Sequence, residues 1–251
     1  MNTDSAVSLL PDETLDAMFE GKLRVIQKKS GYRFSLDAVL LARLAPICPR
    51  DRVIDLGTGC GIIPLIIAHT SEAAEIIGVE IQEELADMAR RNVAINGPTE
   101  RITIFHEDLQ NLSAHFPLGS FDCVVTNPPF RKLDTGRVNP RNQRAIARHE
   151  VMISLGRFLR VAFSLLRPSG KIFLIYSAAR LVDLLCEMRG CKLEPKTIQF
   201  VHAQREDIGK MVLVEGMREG GVEAKIKEPL IIYDSEGKYT EAIKLIYSFP
   251  R

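Results

Sequence analysis

The chain has 251 residues, 46% hydrophobic and 26% charged, with 33 Lys and Arg against 32 Asp and Glu and a formal net charge of +1. That profile suits an ordinary soluble globular protein with one sizeable core, and it excludes nucleic-acid binding through overall charge, so any such interface has to come from charge placed locally. The five cysteines are odd in number and include no CxxC pair, which excludes the common zinc frameworks, and the most apolar run, 62–68, is far short of the roughly 20 residues that span a bilayer.

Taken in chain order, residues 1–20 carry Asp4, Asp12, Glu13 and Asp16 and lack a basic start or a long apolar stretch, so no secretory signal is expected and the cytoplasm is the expected address. Residues 13–19 are expected to form a short helix or to be disordered. A β-like run at 23–26 leads into the basic segment QKKSGYRF (27–34), which reads as a hairpin or turn. Apolar residues at helical spacing predict a helix over 36–45, ended by Pro46 and Pro49. These first 48 residues are an N-terminal extension with a hairpin and a helix, expected to contribute to a cofactor site, and 49–251 form the main domain.

That domain alternates strand-like and helix-like runs: 53–56, 62–69, 75–80, 82–96, 102–106 and 123–126, then a helix from about 145 to 166. Residues 167–170 (RPSG) read as a turn before a strand at 171–176. Further β-like runs are 197–201, 211–215 and, as a third candidate, 230–233. Alternation of this kind predicts an α/β fold with a parallel sheet covered by helices on both faces.

The run VIDLGTGCG (53–61) stands where the first strand of that sheet turns into a helix, the ligand crevice of a doubly wound fold. Taken alone, a tight turn with no ligand is the competing explanation. Glu80 ends the second strand about twenty residues on, where a carboxylate can accept hydrogen bonds from two ribose hydroxyls. Asp55 precedes the glycines; a carboxylate there repels a pyrophosphate and suits the ammonium of a methionine group, favouring S-adenosylmethionine over NAD. Asp108 follows the third strand, placed either to accept from an adenine amino group beside the Leu109 amide or simply to cap a helix.

Asn127-Pro128-Pro129-Phe130 ends the fourth strand. Two prolines stiffen the backbone and donate nothing, leaving the Pro128 carbonyl as an acceptor beside the Asn127 amide oxygen. Two fixed acceptors hold both N–H bonds of an exocyclic amine while its lone pair faces a methyl donor. Phe130 would stack on a flat base, a contact worth about 1–3 kcal/mol.

The glycine run 57–61 together with NPPF (127–130) resembles the class I amino methyltransferases. QKKSGYRFSLDAVLL (27–41), AIARHE (145–150) and the late segments PLIIY (229–233) and YTE (239–241) are similar to the bacterial valine-tRNA adenine-N6-methyltransferase family, over about residues 20–247. The resemblance implies a Rossmann-like fold with a mostly parallel seven-stranded twisted sheet, helices on both faces and an antiparallel C-terminal strand pair. It implies S-adenosylmethionine as cofactor and N6 of an adenine in tRNA as target, at position 37 beside the anticodon. Asp55, Gly57, Thr58, Gly59, Glu80, Ile81, Asp108, Leu109 and Asn127 would hold the cofactor, with Arg33, Phe34 and Asp37 covering its methionine end. Asn127, Pro128, Pro129 and Phe130 would hold the amine. Many members have Tyr where Phe130 stands, and Phe there is also seen in ribosomal guanine-N2 enzymes.

Basic residues gather twice: Arg131, Lys132, Arg137, Arg141, Arg144 and Arg148 against Asp134 alone, and Lys22, Arg24, Lys28, Lys29 and Arg33. Lys28, Lys29, Arg131, Lys132, Arg141, Arg144 and Arg148 are the expected contacts to tRNA phosphates, with a solvated loop as the plain alternative. His149 reads as fixing the loop that precedes it rather than as a base. No metal and no membrane partner is expected, and the oligomeric state stays open between monomer and weak dimer. Competing functions are guanine-N2 methylation of ribosomal RNA, glutamine-N5 methylation of a release factor, and a non-enzymatic RNA-binding module.

Overall fold

The computed structural model describes residues 9–30, 33–97, 100–128 and 155–248. Strands β1 (Glu13–Met18) and β2 (Leu23–Lys28) form an antiparallel hairpin, registered from Glu13 opposite Lys28 to Met18 opposite Leu23. The expected helix or disorder at 13–19 is therefore a strand, and the turn of the hairpin lies upstream of 27–34, whose first two residues end β2. Its turn passes Phe19, Glu20 and Gly21, all at positive φ, before Gly21 N–H returns to Met18 O. The polar pattern of β1 hid the strand because its acids are paired from elsewhere: Glu13 with Arg91, and Asp16 with Arg33, with a further hydrogen bond from the Gln27 amide.

One edge of β2 pairs with β1, and side-chain amides satisfy the other. Asn92 Oδ1 accepts from Ile26 N at 2.6 Å and Nδ2 donates to Ile26 O at 3.0 Å. One helical turn on, Asn96 repeats the pattern with Arg24, at 2.8 and 2.7 Å. Both asparagines belong to the end of one helix, α3 below, so the hairpin is fastened by two amides at i, i+4 spacing.

Helix α1 (Leu36–Leu44) precedes β3 (Arg52–Leu56), and α2 (Ile62–Thr70), β4 (Glu75–Glu80), α3 (Glu83–Ile95), β5 (Ile102–His106) and β6 (Phe121–Thr126) follow. Next come α4 (Leu155–Leu165), β7 (Leu166–Ser177), α5 (Leu181–Gly190), β8 (Leu193–His202) and β9 (Met211–Arg218). The two-residue strands β10 (Lys225–Ile226) and β11 (Leu230–Ile231) and helix α6 (Glu241–Tyr247) complete the described chain. The predicted helix over 145–166 is seen as α4; its earlier part lies outside the described residues. Neither α5 nor α6 was expected.

Among the described residues, seven long strands run in the order β5-β4-β3-β6-β7-β9-β8, with β9 antiparallel to both neighbours, as expected; β10 and β11 add to β8 in parallel and bring the sheet to nine. Residues 167–170, expected as a turn, loop out within β7: Leu166 pairs with Phe121 and Lys171 with Cys123, and Ser169 has φ 61.

Period-2 alternation assigns the strands to two cores. Val53, Val125, Phe173 and Ile175 pack with α1, α2 and α3, whereas Ile54, Leu56, Val124 and Leu174 pack with α4 and α5. Helix α2 is buried at every residue from Ile62 to Ile67, as a helix apolar all round must be. The order of strands reverses between β3 and β6, which opens a crevice at their carboxyl ends. Among the described residues no helix is long and apolar enough to cross a membrane, and no group of three or more His, Cys, Asp and Glu is placed to hold a metal.

Candidate active site

At the carboxyl end of β3 the chain passes through Gly57 (φ 78), Gly59 (φ 58) and Gly61 (φ 81), the last starting α2. These left-handed conformations account for the glycines. Gly57 N and Thr58 N both donate to Val79 O at 2.9 Å, anchoring the loop on β4. A Cβ on Gly61 would stand 3.0 Å from Ala89 Cβ, so α3 leaves no room for a side chain, whereas a Cβ on Gly57 would meet nothing within 4 Å.

Glu80, at the end of β4, is buried and accepts Gly59 N at 2.8 Å and Gln82 N at 3.0 Å, one on each oxygen. Burial pushes its pKa up, opposed by the Gln82 and Gly59 amides. Each oxygen retains capacity for another donor, as the ribose reading requires. Beside it Ile81 is 39% exposed, an apolar side chain at the rim of the crevice.

Asp55 has no accessible surface, and neither carboxylate oxygen is hydrogen-bonded; Thr58 Oγ1 is equally without a partner. Burial raises the Asp55 pKa to about 7; the Thr58 hydroxyl, near but outside hydrogen-bond geometry, opposes this and the Glu80 charge adds to it. A buried carboxylate with two unused acceptors, next to an open glycine, is matched by a cationic donor group. The residues present therefore fit the methionine end of S-adenosylmethionine.

Past β5, Asp108 caps a 3-10 helix (Leu109–Ala114): Oδ1 accepts Gln110 N at 2.9 Å. Of the two roles open in the sequence, the capping one is realised, and Oδ1 and Oδ2 still have lone pairs for an adenine amine. Glu107, not singled out from the sequence, fixes this corner by accepting Asn111 Nδ2, Asp108 N and His115 Nε2, each at 2.9 Å. Those contacts, led by Asn111, hold its carboxyl down at about 2. His106 Nε2 lies 3.0 Å from Ile81 O.

On the other side of β3, Asp55 pairs with Val125, so Asn127 emerges from β6 level with Gly57. Thr126, fully buried, donates from Oγ1 to Leu56 O at 2.9 Å and joins the two strand ends. Asn127 is half-buried and Pro128 buried. Pro129, Phe130, Arg131, Lys132, Arg137, Arg141, Arg144, Arg148 and His149 lie outside the described residues.

The segment before α1 is positioned by the hairpin. Gln27 Oε1 accepts Phe34 N at 3.2 Å, and Arg33 donates to Asp16 Oδ2 at 2.7 Å and Lys28 O at 2.9 Å. Asp37, in the first turn of α1, accepts from Ser35 Oγ at 3.0 Å, and burial raises its pKa. The expectation of Lys28 as a phosphate contact is corrected: its side chain is 8% exposed and its ammonium is 2.8 Å from Asp12 and 4.0 Å from Glu84, so its charge is used within the protein. Lys29 is exposed and donates to Pro11 O.

The described residues thus bring Asp55, Gly57, Thr58, Gly59, Glu80, Ile81 and Asn127 to one rim of the sheet, with Asp108 beyond β5. Sequence reasoning missed the roles of Thr126 and Asn92, whose polar side chains act on backbone far away in the chain and leave no local motif, and that of Gln27, whose bond to Phe34 N forms only once the segment after β2 folds back.

Residues 35–185 match the family described as Methyltransferase small domain. A tRNA1(Val) (adenine(37)-N6)-methyltransferase from Porphyromonas gingivalis is 31% identical over 226 residues, covering 86% of this chain and 88% of that protein. A protein of the same name from a Shewanella species is 30% identical, covering 85% and 89%. Among solved structures, a predicted O-methyltransferase from Agrobacterium tumefaciens superposes with a TM-score of 0.68 at 21% identity, over 86% of this chain and 99% of that one, a likeness of fold.

Proposed function

This chain belongs to the Methyltransferase small domain family and to that of the tRNA1(Val) (adenine(37)-N6)-methyltransferases, and from that premise we propose how its own residues carry out the reaction. It is an enzyme that methylates the exocyclic N6 of an adenine in tRNA, at position 37 beside the anticodon of valine tRNA. The observation that carries this reading is the convergence at one rim of a glycine loop, the Glu80 carboxylate, the unpaired Asp55 carboxylate and Asn127.

Glu80 takes the ribose hydroxyls, Asp55 with Thr58 the ammonium, and Asp108 with the Leu109 amide the adenine of S-adenosylmethionine. Arg33, Phe34 and Asp37 close over the methionine end. When bound, that cofactor supplies a methyl group on a positively charged sulfur, which leaves as a neutral thioether.

Everything else is positioning. The N6 lone pair of adenine is delocalised into its ring and makes a poor nucleophile. Asn127 Oδ1 and the Pro128 carbonyl accept its two N–H bonds, favour a pyramidal nitrogen and stabilise the charge that develops on it, and one N–H proton is then lost to solvent to leave neutral N6-methyladenine. Phe130 stacks on the base. Thr126 fixes the height of this turn against the loop through Leu56. Arg131, Lys132, Arg141, Arg144 and Arg148, with Lys29, contribute the phosphate contacts; a base in a tRNA loop is splayed out at less cost than one in a duplex.

The test is transfer of radiolabelled methyl from S-adenosylmethionine to total tRNA from a strain lacking this protein, followed by nucleoside analysis. Labelled N6-methyladenosine is expected. No label in tRNA, with label in guanine of ribosomal RNA or glutamine of protein when those are supplied as acceptors, would overturn the target.

A further inference from the structure

We propose that Asn92 is a positioning residue for the donor site, coupling the N-terminal hairpin to the glycine loop; this rests on the reading of that loop as the S-adenosylmethionine site. Asn92 is fully buried on α3, and its side-chain amide makes three hydrogen bonds. Two of them clasp Ile26 in β2, and in the third Nδ2 donates to Cys60 O at 2.9 Å, within the loop.

One amide therefore holds two pieces of backbone that share no other described side-chain clasp. The bond to Cys60 fixes the peptide plane between Cys60 and Gly61. With that carbonyl turned toward Asn92, the Gly61 N–H on the same plane turns away and donates to Thr58 O at 3.0 Å. This closes the turn from Thr58 to Gly61, in which Gly59 N–H reaches Glu80. Three residues earlier on the same helix, Ala89 occupies the space a side chain on Gly61 would need, so α3 shapes the loop with one small residue and one amide. Loosening the hairpin withdraws two of the three bonds that orient the Asn92 amide.

Asn96 provides the internal control. It clasps Arg24 as Asn92 clasps Ile26, but its remaining bond goes to Asn92 O rather than to the loop. Both asparagines fasten the hairpin, and Asn92 alone touches the loop.

The test is calorimetric titration of the full chain with S-adenosylhomocysteine. Asn92→Ala is expected to weaken binding about tenfold, and Asn96→Ala by less than about threefold. Equal weakening by both, or none by Asn92→Ala, overturns the coupling. Should Asn92→Ala not fold, hydrogen exchange in the wild-type protein decides. S-adenosylhomocysteine is expected to slow the Ile26 amide together with Gly59, and slowing confined to the loop overturns the proposal. A wild-type chain with no affinity for S-adenosylhomocysteine removes the donor reading itself, and the coupling with it.

Discussion

Thr126 Oγ1 donates to Leu56 O at 2.9 Å where β6 and β3 end, with both residues buried. The strand that presents Asn127 and the strand that presents the glycine loop are latched at this point. Thr126→Val keeps the shape and removes the donor, so the midpoint of urea unfolding should fall by the equivalent of about 1 kcal/mol. Methyl transfer should fall further than donor affinity does, and a turnover number equal to wild type would show that the latch does not position Asn127.

Asn127→Ala tests the division of labour at the rim. Turnover should be lost while the dissociation constant for S-adenosylhomocysteine stays within about tenfold, because the amide acts on the acceptor amine. Parallel loss of both would mean that Asn127 belongs to the donor site.

Asp55 predicts a pH dependence with a definite sign. Its folded pKa, about 7, lies above the ordinary 3.8, because burial disfavours the charged form. The folded state therefore holds a proton that the unfolded chain has already released, and stability falls as pH rises between about 4 and about 7. Asp55→Asn should remove that slope, which urea unfolding of both proteins at pH 5 and pH 8 would reveal. Donor binding near pH 6.5 should release a proton, seen as a buffer-dependent heat.

Arg91 donates to both oxygens of Glu13, at 2.8 and 2.7 Å, and the Glu13 side chain is inaccessible. The Arg91 bonds hold the Glu13 carboxyl below its ordinary 4.5, so this contribution is present above that value and is lost as pH falls through the lower one. Arg91→Leu leaves a buried carboxylate without its cation, at a cost of about 3–5 kcal/mol. Limited proteolysis should then cut within β1 before any other strand.

How far the sequence could be read depended on the range of the interactions. Strands β4 and β5 fell at their predicted limits because each is an apolar run whose burial depends on its own side chains, and the glycines of 57–61 marked a turn that only they can make. Strand β1 was misread because its acids are made tolerable by Arg33, beyond β2, and by Arg91, on α3. Lys28 looked like a free cation for the same reason: Asp12 and Glu84 are invisible as partners until the hairpin closes and docks. Asn92 and Asn96 stood at plain helical spacing, yet what they bind is backbone 66 and 72 residues earlier.

That separation also has a consequence for biosynthesis. A lone two-stranded hairpin is marginal in water, and β2 here gains its second row of partners only when α3 exists. At roughly 5–20 residues per second, the ribosome needs about 3–13 s to travel from Ile26 to Asn92. For that interval the hairpin has one open edge and no amide to fasten it, and a nascent chain halted before α3 carries a hairpin that cannot yet be locked in place.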